Sequence, residues 1–246
     1  MKSSTRTPVN YLIGHPVPRE NNPPQETVMI TRSEMTSKID HTLLRVNATA
    51  EEVATTVRQA AELGAASACI SPSQVANAPR DAVLCTVVGF PSGAHSAAVK
   101  AFETAQAVAD GAEEIDMVVN LGAIAAGDWD TVANEVAAVR AACEGKVLKI
   151  ILETAALDDD QIRRAGQIAI DNGVDFLKTS TGFHANGDAT VHTVSLLAEL
   201  ASNAGRPIGV KASGGIRDTE TALAMLEAGA TRIGASATEA ILAGLE

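Results

Sequence analysis

The segment AVLCTVVGF, residues 82–90, decides how this chain folds, together with the two segments that follow it. It is an apolar run of strand length. HSAAVKAFETAQAVADG, residues 95–111, then shows a helical period and ends in glycine, and EIDMVVN, residues 114–120, is a second apolar run. A strand, a helix and another strand in this order predict two parallel strands of one sheet.

The same alternation extends along the chain from about residue 30. Six more apolar runs have strand character: KIDHTLL (38–44), ASACIS (66–71), VLKIILET (147–154), DFLKTST (175–181), IGVKASG (208–214) and TRIGAS (231–236). Several helical segments between them begin after Thr or Asp and end at Gly, as the segment between Thr49 and Gly64 does. Eight alternations predict an α/β fold, a single (β/α)₈ TIM barrel preceded by a short extra N-terminal helix.

Chain length and composition agree with one barrel. The chain has 246 residues, and a (β/α)₈ barrel typically needs about 250. Hydrophobic residues make up 46% and aromatic residues only 2%, so small aliphatic side chains must fill the layers of the core. The alternative is a doubly wound open sheet, which is disfavoured because no G-x-G-x-x-G follows the first predicted strand. We therefore expect one barrel domain at residues 30–246.

Residues 1–29 differ from the rest of the chain. They contain five prolines and the only tyrosine, without a periodic apolar pattern. We expect a flexible, proline-containing extension there. The alternative is an arm that reaches another subunit.

Charge and cysteine usage restrict the partners and the location of the protein. The net charge of −11 argues against nucleic acid, which needs a basic face. No apolar stretch reaches the roughly 18 residues of a membrane span, and no signal-peptide pattern begins the chain, so we expect a cytoplasmic protein without a membrane partner. Cys69, Cys85 and Cys143 are odd in number and widely spaced, which argues against disulfides and a zinc site. Cys69 and Cys85 lie in apolar, strand-like runs, which indicates buried thiols. The histidines lack metal-ligand spacing, so we expect no metal, and a packing role for His41.

Charged side chains occur inside four predicted strands, where apolar residues are expected. Asp116 lies in EIDMVVN, Lys149 in VLKIILET, Lys178 in DFLKTST and Lys211 in IGVKASG. Strands of a parallel barrel are buried on both faces, and buried ions are costly unless they are paired. Inward-pointing side chains of different strands converge on the barrel axis. We therefore predict one polar cluster near the carboxyl-terminal mouth of the barrel.

These lysines point to covalent chemistry on a carbonyl compound. A lysine amine is nucleophilic when it is neutral near pH 7, and burial or a neighbouring cation favours the neutral form. Lys178 and Lys211 lie on consecutive predicted strands, so their amino groups can approach each other, and Asp116 can supply acid–base function. The alternative is a Lys–Asp–Lys salt-bridge network that only fixes the register of the barrel.

Glycine and hydroxyl residues follow the last predicted strands. Strand six continues into residues 179–182, strand seven into residues 213–217, and strand eight into Gly234 and Ser236 before a helix. Barrels often bind phosphate with the loops after strands seven and eight, where glycines let backbone N–H groups approach the oxygens. This pattern predicts a phosphorylated substrate; ordinary glycine-rich turns are the alternative.

Six motifs together resemble those of the class I deoxyribose-phosphate aldolases. KIDHTLL, GFPSG, EIDMVVN, LKIILET, DFLKTSTGF and VKASGGIR occur in the order of that family and cover roughly residues 31 to 240. The resemblance implies reversible cleavage of 2-deoxy-D-ribose 5-phosphate to acetaldehyde and D-glyceraldehyde 3-phosphate. It also implies a lysine Schiff base without metal or cofactor, and a homodimer or higher homo-oligomer.

The resemblance assigns roles to individual residues. Lys178 forms the Schiff base, Lys211 shifts the ionisation of that amine and joins a proton relay, and Asp116 donates and accepts protons through a water molecule. The residues implied in substrate binding are Asp40, Thr42, Leu44, Cys69, Lys149, Thr181, Gly182, Gly214, Gly215, Gly234 and Ser236.

Some positions depart from the family pattern. Ala237 replaces a second serine or glycine, Phe183 replaces a lysine of some members, and the C-terminal tyrosine of others is missing. Phosphate binding and proton transfer can differ accordingly. Two other functions stay open: a Schiff-base barrel lyase for another sugar phosphate or a keto acid, and a non-catalytic binder of sugar phosphates.

Overall fold

A computed structural model of the chain describes residues 30–245. In this part of the chain eight strands follow one another around a closed barrel in chain order, and each is parallel to both of its neighbours. The predicted (β/α)₈ barrel is confirmed. The prediction of a flexible extension at residues 1–29 lies outside the described residues. In the described chain, no helix combines the length and the apolar character needed to cross a membrane.

Every predicted strand run contains a strand. The strands are β1 (Ile39–Leu43), β2 (Ser67–Ile70), β3 (Leu84–Val88), β4 (Glu114–Val118), β5 (Val147–Ile151), β6 (Phe176–Lys178), β7 (Gly209–Ser213) and β8 (Arg232–Ala235). The helices are α1 (Arg32–Thr36), α2 (Ala50–Leu63), α3 (Ala97–Ala109), α4 (Leu121–Ala126), α5 (Trp129–Ala142), α6 (Asp159–Asp171), α7 (Val191–Ser202), α8 (Thr219–Glu227) and α9 (Thr238–Leu242). The predicted extra N-terminal helix is α1, which precedes β1.

Local signals set the ends of the helices as the sequence predicts. Thr49 caps α2, since its hydroxyl accepts from the amide of Glu52 while the Glu52 carboxylate accepts from the amide of Thr49. The helix ends at Gly64, which adopts φ +72°, a left-handed conformation that glycine takes without a steric penalty. Such caps satisfy backbone groups that the helix leaves unpaired.

Three connections differ from a regular strand–helix repeat, one of them by a short 3₁₀ helix, Thr154–Ala156, between β5 and α6. A 3₁₀ helix, Pro72–Asn77, joins β2 to β3, and it begins with a proline, whose missing N–H costs nothing in a first turn. Between β4 and β5 the chain forms two helices, α4 and α5, separated by Gly127 at φ +72°. The barrel order is unaffected by any of these changes.

The core divides into an aliphatic shell and a charged axis. Ile115 and Met117 of β4 are fully buried in the apolar layer between the barrel and its helices. Asp116, between them in the chain, is equally buried but bonds to lysines of other strands. Because side chains alternate along a strand, the apolar neighbours face outward and Asp116 faces the barrel axis. The strand register therefore decides which charges meet.

Candidate active site

Asp116 stands at the centre of the charged axis and contacts three lysines. Its Oδ2 accepts hydrogen bonds from Lys178 Nζ at 2.7 Å and Lys211 Nζ at 2.8 Å. Its Oδ1 accepts from Lys149 Nζ at 2.9 Å. The register explains this convergence, because Asp116 lies opposite Lys149 on β5 and Lys178 lies opposite Lys211 on β7. The four charged residues predicted to cluster are thus brought together.

The cluster continues below Asp116 toward the amino-terminal end of the barrel. Asp40 bonds to Lys211 and accepts from Arg232 Nη1 at 2.6 Å and from Ser67 Oγ at 2.8 Å. Glu114 bonds to Lys149 and lies 3.4 Å from Arg232. Glu114 and Arg232 are the first residues of β4 and β8, so the charges extend beyond the carboxyl-terminal mouth where they were predicted.

Mutual pairing sets the protonation states of the buried groups. Burial by itself raises the pKa of Asp116, but the charges of Lys149, Lys178 and Lys211 outweigh it and hold that pKa well below its usual range. Burial also raises the pKa of Asp40, but the charges of Lys211, Lys149 and Arg232 outweigh burial, so this pKa is lowered as well. Both carboxylates are therefore ionised at neutral pH.

The pKa values of two of the lysines shift upward instead. Burial lowers the pKa of Lys211, but Asp116 and Asp40 outweigh burial and raise that pKa above its ordinary value. The pKa of Lys149 is raised well above its ordinary value, because Asp116 and other neighbouring negative groups outweigh burial. These two side chains act as fixed cations.

Lys178 connects the charged axis to a cavity at the carboxyl-terminal end of the barrel. The cavity has a volume of about 540 Å³. It is lined by Thr42, Leu44, Arg45, Lys178, Thr181, Gly182, Phe183, Asp188, Ser213, Gly214, Gly215, Arg217, Gly234, Ser236 and several of their chain neighbours. Asp40, Cys69, Asp116, Lys149 and Lys211 are fully buried and lie outside this lining. Of the charged axis, Lys178 is thus the residue that a ligand in the cavity can reach.

Glycines form the side of the cavity made by the loops after β6 and β7. Gly182, Gly214 and Gly215 adopt φ values of +79°, +91° and +73°, which other residues rarely take. Within residues 30–245 their amide groups donate no hydrogen bond to the protein. Unpaired amides at the mouth of a barrel can bind the oxygens of an anion.

Glu153 is a residue of the site that the sequence did not single out. It follows β5 with φ +55°, an unusual value for a residue with a side chain, and is 1% exposed. Its carboxylate accepts from the amide of Thr181 at 3.3 Å and from the Thr181 hydroxyl at 2.5 Å. Glu153 therefore holds the chain directly after Lys178 in place. The unusual backbone angle has no signature in the sequence.

An apolar wall borders the site on the side of β2 and β3. Cys69 and Cys85, directly opposite each other on these strands, pack with Val87 and Phe90. Both are buried free thiols, as predicted, and Cys143 is buried and free as well. The ring of Phe90 meets that of Phe183 edge to face at 5.2 Å between centroids. Of these residues Phe183 lines the cavity, so the ring contact joins the cavity loop to the apolar cluster.

Two groups of potential metal ligands occur in the described chain, and lysines already occupy their carboxylates. The groups are Cys69, Cys85 and Asp116, and Asp40, Cys85 and Glu114. Asp116, Asp40 and Glu114 each bond to at least one lysine ammonium group. Burial, followed by a hydrogen bond with Cys69, raises the pKa of Cys85, which keeps its thiol protonated and a poor metal ligand.

His41 has the packing position that the sequence suggested. Its side chain is buried, and its Nδ1 lies 2.7 Å from the hydroxyl of Thr238 in α9. Alternation directs His41 away from the axis that Asp40 faces. The histidine therefore ties β1 to the helix that follows the last strand.

Comparisons with known proteins show the family to which the chain is similar. Residues 35–245 match the model of the DeoC/LacD family aldolases. The chain is 56% identical over 220 residues to a deoxyribose-phosphate aldolase of Kocuria rhizophila, covering 89% of this chain and 100% of that one. A deoxyribose-phosphate aldolase of Mycobacterium avium is 51% identical over 222 residues, covering 87% of this chain and 98% of that one.

A solved structure agrees with the fold. The deoxyribose-phosphate aldolase of Aeropyrum pernix, described as having a unique tetrameric structure, superposes with a TM-score of 0.78 at 33% identity, covering 87% of this chain and 91% of that one. Family model, sequence identity and fold thus lead to one conclusion: the chain belongs to the DeoC/LacD aldolase family.

Proposed function

We propose that this protein is an aldehyde-lyase that reversibly cleaves 2-deoxy-D-ribose 5-phosphate into acetaldehyde and D-glyceraldehyde 3-phosphate through a Schiff base on Lys178. The observation that carries the proposal is the position of Lys178. Its amino group is 2.7 Å from a buried carboxylate, and its side chain lines a cavity of about 540 Å³. The relatives at 56% and 51% identity are named as aldolases for this substrate.

The distribution of charges in the buried cluster supports the choice of Lys178 as the nucleophile. Three carboxylates face four cationic groups in the buried cluster, so release of one proton makes it electrically neutral. Lys178 contacts one of these carboxylates, whereas Lys211 contacts two and Lys149 three. Lys178 is thus the lysine with the fewest carboxylate contacts, and it is also the lysine at the cavity.

In the proposed reaction the Lys178 nitrogen attacks the aldehyde carbon, and loss of water gives the imine. The bond between C2 and C3 of the sugar then breaks, its electron pair moves into an enamine, and the C3 hydroxyl loses its proton. The three-carbon aldehyde phosphate leaves, C2 of the enamine takes up a proton, and water releases acetaldehyde. We propose that Asp116 donates and accepts these protons through a water molecule, with Lys211 as part of the relay.

The cavity lining supports the proposed substrate contacts. We assign the phosphate to the unpaired amides of Gly182, Gly214 and Gly215, together with Gly234 and Ser236 at the end of β8. The remaining substrate-binding residues that we propose fall into two groups. Thr42, Leu44 and Thr181 line the cavity, whereas Asp40, Cys69 and Lys149 are buried outside its lining.

Reductive trapping tests the proposal. The protein is incubated with acetaldehyde and sodium borohydride, digested, and mapped by mass spectrometry. We expect an ethyl group on Lys178, no adduct in Lys178→Met, and an unchanged adduct in the control Lys146→Met, whose lysine lies outside the cavity. Lys178→Met should also lose at least about 1,000-fold in cleavage rate. An adduct on another lysine alone would contradict the assignment.

A second candidate is a Schiff-base lyase that acts on a keto acid. It draws support from Arg45 and Arg217, which line the same cavity and can bind a carboxylate. Parallel assays with 2-deoxyribose 5-phosphate and with 2-keto acids separate the two functions. Turnover of a keto acid that exceeds turnover of the sugar phosphate would favour the second.

We also propose a homo-oligomer in a reducing cytoplasm. The assembly is supported by the tetrameric relative from Aeropyrum pernix, and the compartment by three buried free thiols. Light scattering coupled to gel filtration measures the mass in solution. A monomer at micromolar concentration would contradict the assembly.

A further inference from the structure

We propose that Asp188 determines how strongly this site prefers a phosphorylated substrate over an uncharged one. This inference rests on the proposed function, because it concerns the phosphate end of the same cavity. Asp188 lies in the loop of residues 182–190 between β6 and α7. It lines the cavity, and the other described lining residues include no aspartate or glutamate. Its carboxylate lies against the two glycines whose amides we assign to the phosphate.

The contact between Asp188 and the glycines is close. A Cβ atom added to Gly214 would lie 2.7 Å from Asp188 Oδ1, and one added to Gly215 would lie 2.8 Å from Asp188 Oδ2. Both carboxylate oxygens thus touch the turn that follows β7. A phosphate held by this turn would lie within about 8 Å of the carboxylate, the Debye length at physiological ionic strength.

Asp188 has no charged partner within the described part of the chain. Its side chain accepts no hydrogen bond there and forms no salt bridge, and the residue is exposed to solvent. Of the basic side chains that line the cavity, Arg45 is paired with Glu52 and Lys178 with Asp116, whereas Arg217 forms no salt bridge within the described residues, with Asp188 or with any other carboxylate. The charge of Asp188 therefore stays available to act on a ligand.

The effect of this charge depends on the ligand. A phosphate monoester carries about −1.5 to −2 at pH 7, so Asp188 repels it. An unphosphorylated sugar carries no charge and meets no such repulsion. Asp188 therefore weakens the preference for phosphate that the glycine amides create, and makes the site more permissive toward uncharged aldehydes.

The test compares two substrates in four proteins. kcat/KM is measured for 2-deoxyribose 5-phosphate and for 2-deoxyribose in the wild type, Asp188→Asn, Asp188→Glu and Asp81→Asn. Asp81 is a matched control, because it is an exposed aspartate in the loop before β3, at the opposite end of the barrel. The ratio of kcat/KM for 2-deoxyribose 5-phosphate to kcat/KM for 2-deoxyribose should rise about 5- to 20-fold in Asp188→Asn, because the Coulomb repulsion of the phosphate is lost.

The other variants separate local charge from structure. Asp188→Glu keeps the charge and should keep the wild-type ratio within about threefold, and Asp81→Asn should leave it unchanged, because the Debye length of about 8 Å screens its distant charge. The rise in Asp188→Asn should also shrink when the salt concentration is raised to 1 M. An unchanged or lower ratio in Asp188→Asn, or an equal rise in Asp81→Asn, would overturn the proposal.

Binding of inorganic phosphate separates this inference from the proposed reaction. Its dissociation constant, measured by calorimetry, needs no turnover and should fall about 5- to 20-fold in Asp188→Asn. If the wild type forms no imine with acetaldehyde, the proposed function fails, while the phosphate measurement still decides the role of Asp188. Equal affinities in the wild type and Asp188→Asn would refute that role even if the aldolase reaction is established.

Discussion

At the scale of single residues, the site is organised by one carboxylate that several cations share. Lys178 and Lys211 donate to the same oxygen of Asp116, at 2.7 and 2.8 Å. Two cations on one oxygen repel each other, which favours loss of a proton from one of them. Lys211 keeps its proton because Asp40 supplies a second negative charge. Asp40 thus distinguishes the surroundings of Lys211 from those of Lys178, which contacts Asp116 alone among the carboxylates.

A change at Lys211 should move the pH dependence of the reaction. Lys211→Leu removes one of the two cations that donate to Oδ2 of Asp116, and with it the repulsion between them. We expect the acidic limb of the kcat/KM profile to move upward by at least about one pH unit, with a lower maximal rate, because one unit corresponds to about 1.4 kcal/mol of lost repulsion.

Lys211→Arg serves as the matched control, since it retains the positive charge. Its acidic limb should stay near that of the wild type, although its rate falls with the changed geometry. If the acidic limb of the kcat/KM profile lies at the same pH in Lys211→Leu and in the wild type, the proposed effect of the cation pair is refuted.

At the scale of elements, a second buried ion pair joins helices to the end of β4, outside the barrel axis. Lys100 of α3 donates to Glu135 of α5 at 2.6 Å and to the carbonyl of Val118 at 2.8 Å. Glu135 also accepts from the amide of Asn120 at 2.7 Å. Burial opposes the charged state of both partners, lowering the pKa of Lys100 and raising that of Glu135. The pair fixes the chain just beyond the strand that carries Asp116.

Removal of one partner of this pair should be costly. Lys100→Met leaves the Glu135 carboxylate buried without its cation and should lower the free energy of unfolding by about 3–5 kcal/mol. The double variant Lys100→Met/Glu135→Leu removes both charges and should regain more than half of that loss. Urea unfolding followed by circular dichroism measures both values. The single variant Glu135→Leu is measured as well. A double variant that loses as much stability as the two single variants lose together would contradict this account.

At the scale of the whole molecule, buried charges and one buried histidine set the response to acid. Asp40 and Asp116 have lowered pKa values in the folded state. They contribute stability above the unfolded pKa of about 3.9, which is lost as the pH falls toward their folded values. Burial also lowers the pKa of His41. The unfolded state therefore binds the proton of this histidine more readily, and stability declines below about pH 6.5.

Urea unfolding between pH 3 and 8 should resolve both effects. We expect a shallow decline of the unfolding free energy below about pH 6.5 and a steep one below about pH 4. His41→Gln should remove the shallow decline and keep the steep one, because Asp40 and Asp116, which cause the steep decline, remain in both proteins. Identical slopes between pH 5 and 7 in the wild type and His41→Gln would contradict the assignment to His41.

The sequence made part of the site predictable because some charges break a strong pattern. Asp116, Lys149, Lys178 and Lys211 lie inside apolar strands, and burial there requires partners. Glu114 and Arg232 complete the same cluster, but they are the first residues of their strands, where polar residues are common. Charges inside a strand could therefore be predicted as members of the site, whereas charges at the start of a strand could not.

The sequence by itself determined the barrel, since eight alternations of strand and helix, with caps at their ends, are local properties of the chain. Only the tertiary structure decided which charges meet. Closure of the barrel brings Lys211 to Asp40, 171 residues away in the chain, and to Asp116, 95 residues away. It also places Asp188 of one loop against the glycines of another. Such contacts depend on strand register and loop path in three dimensions, which no local pattern encodes.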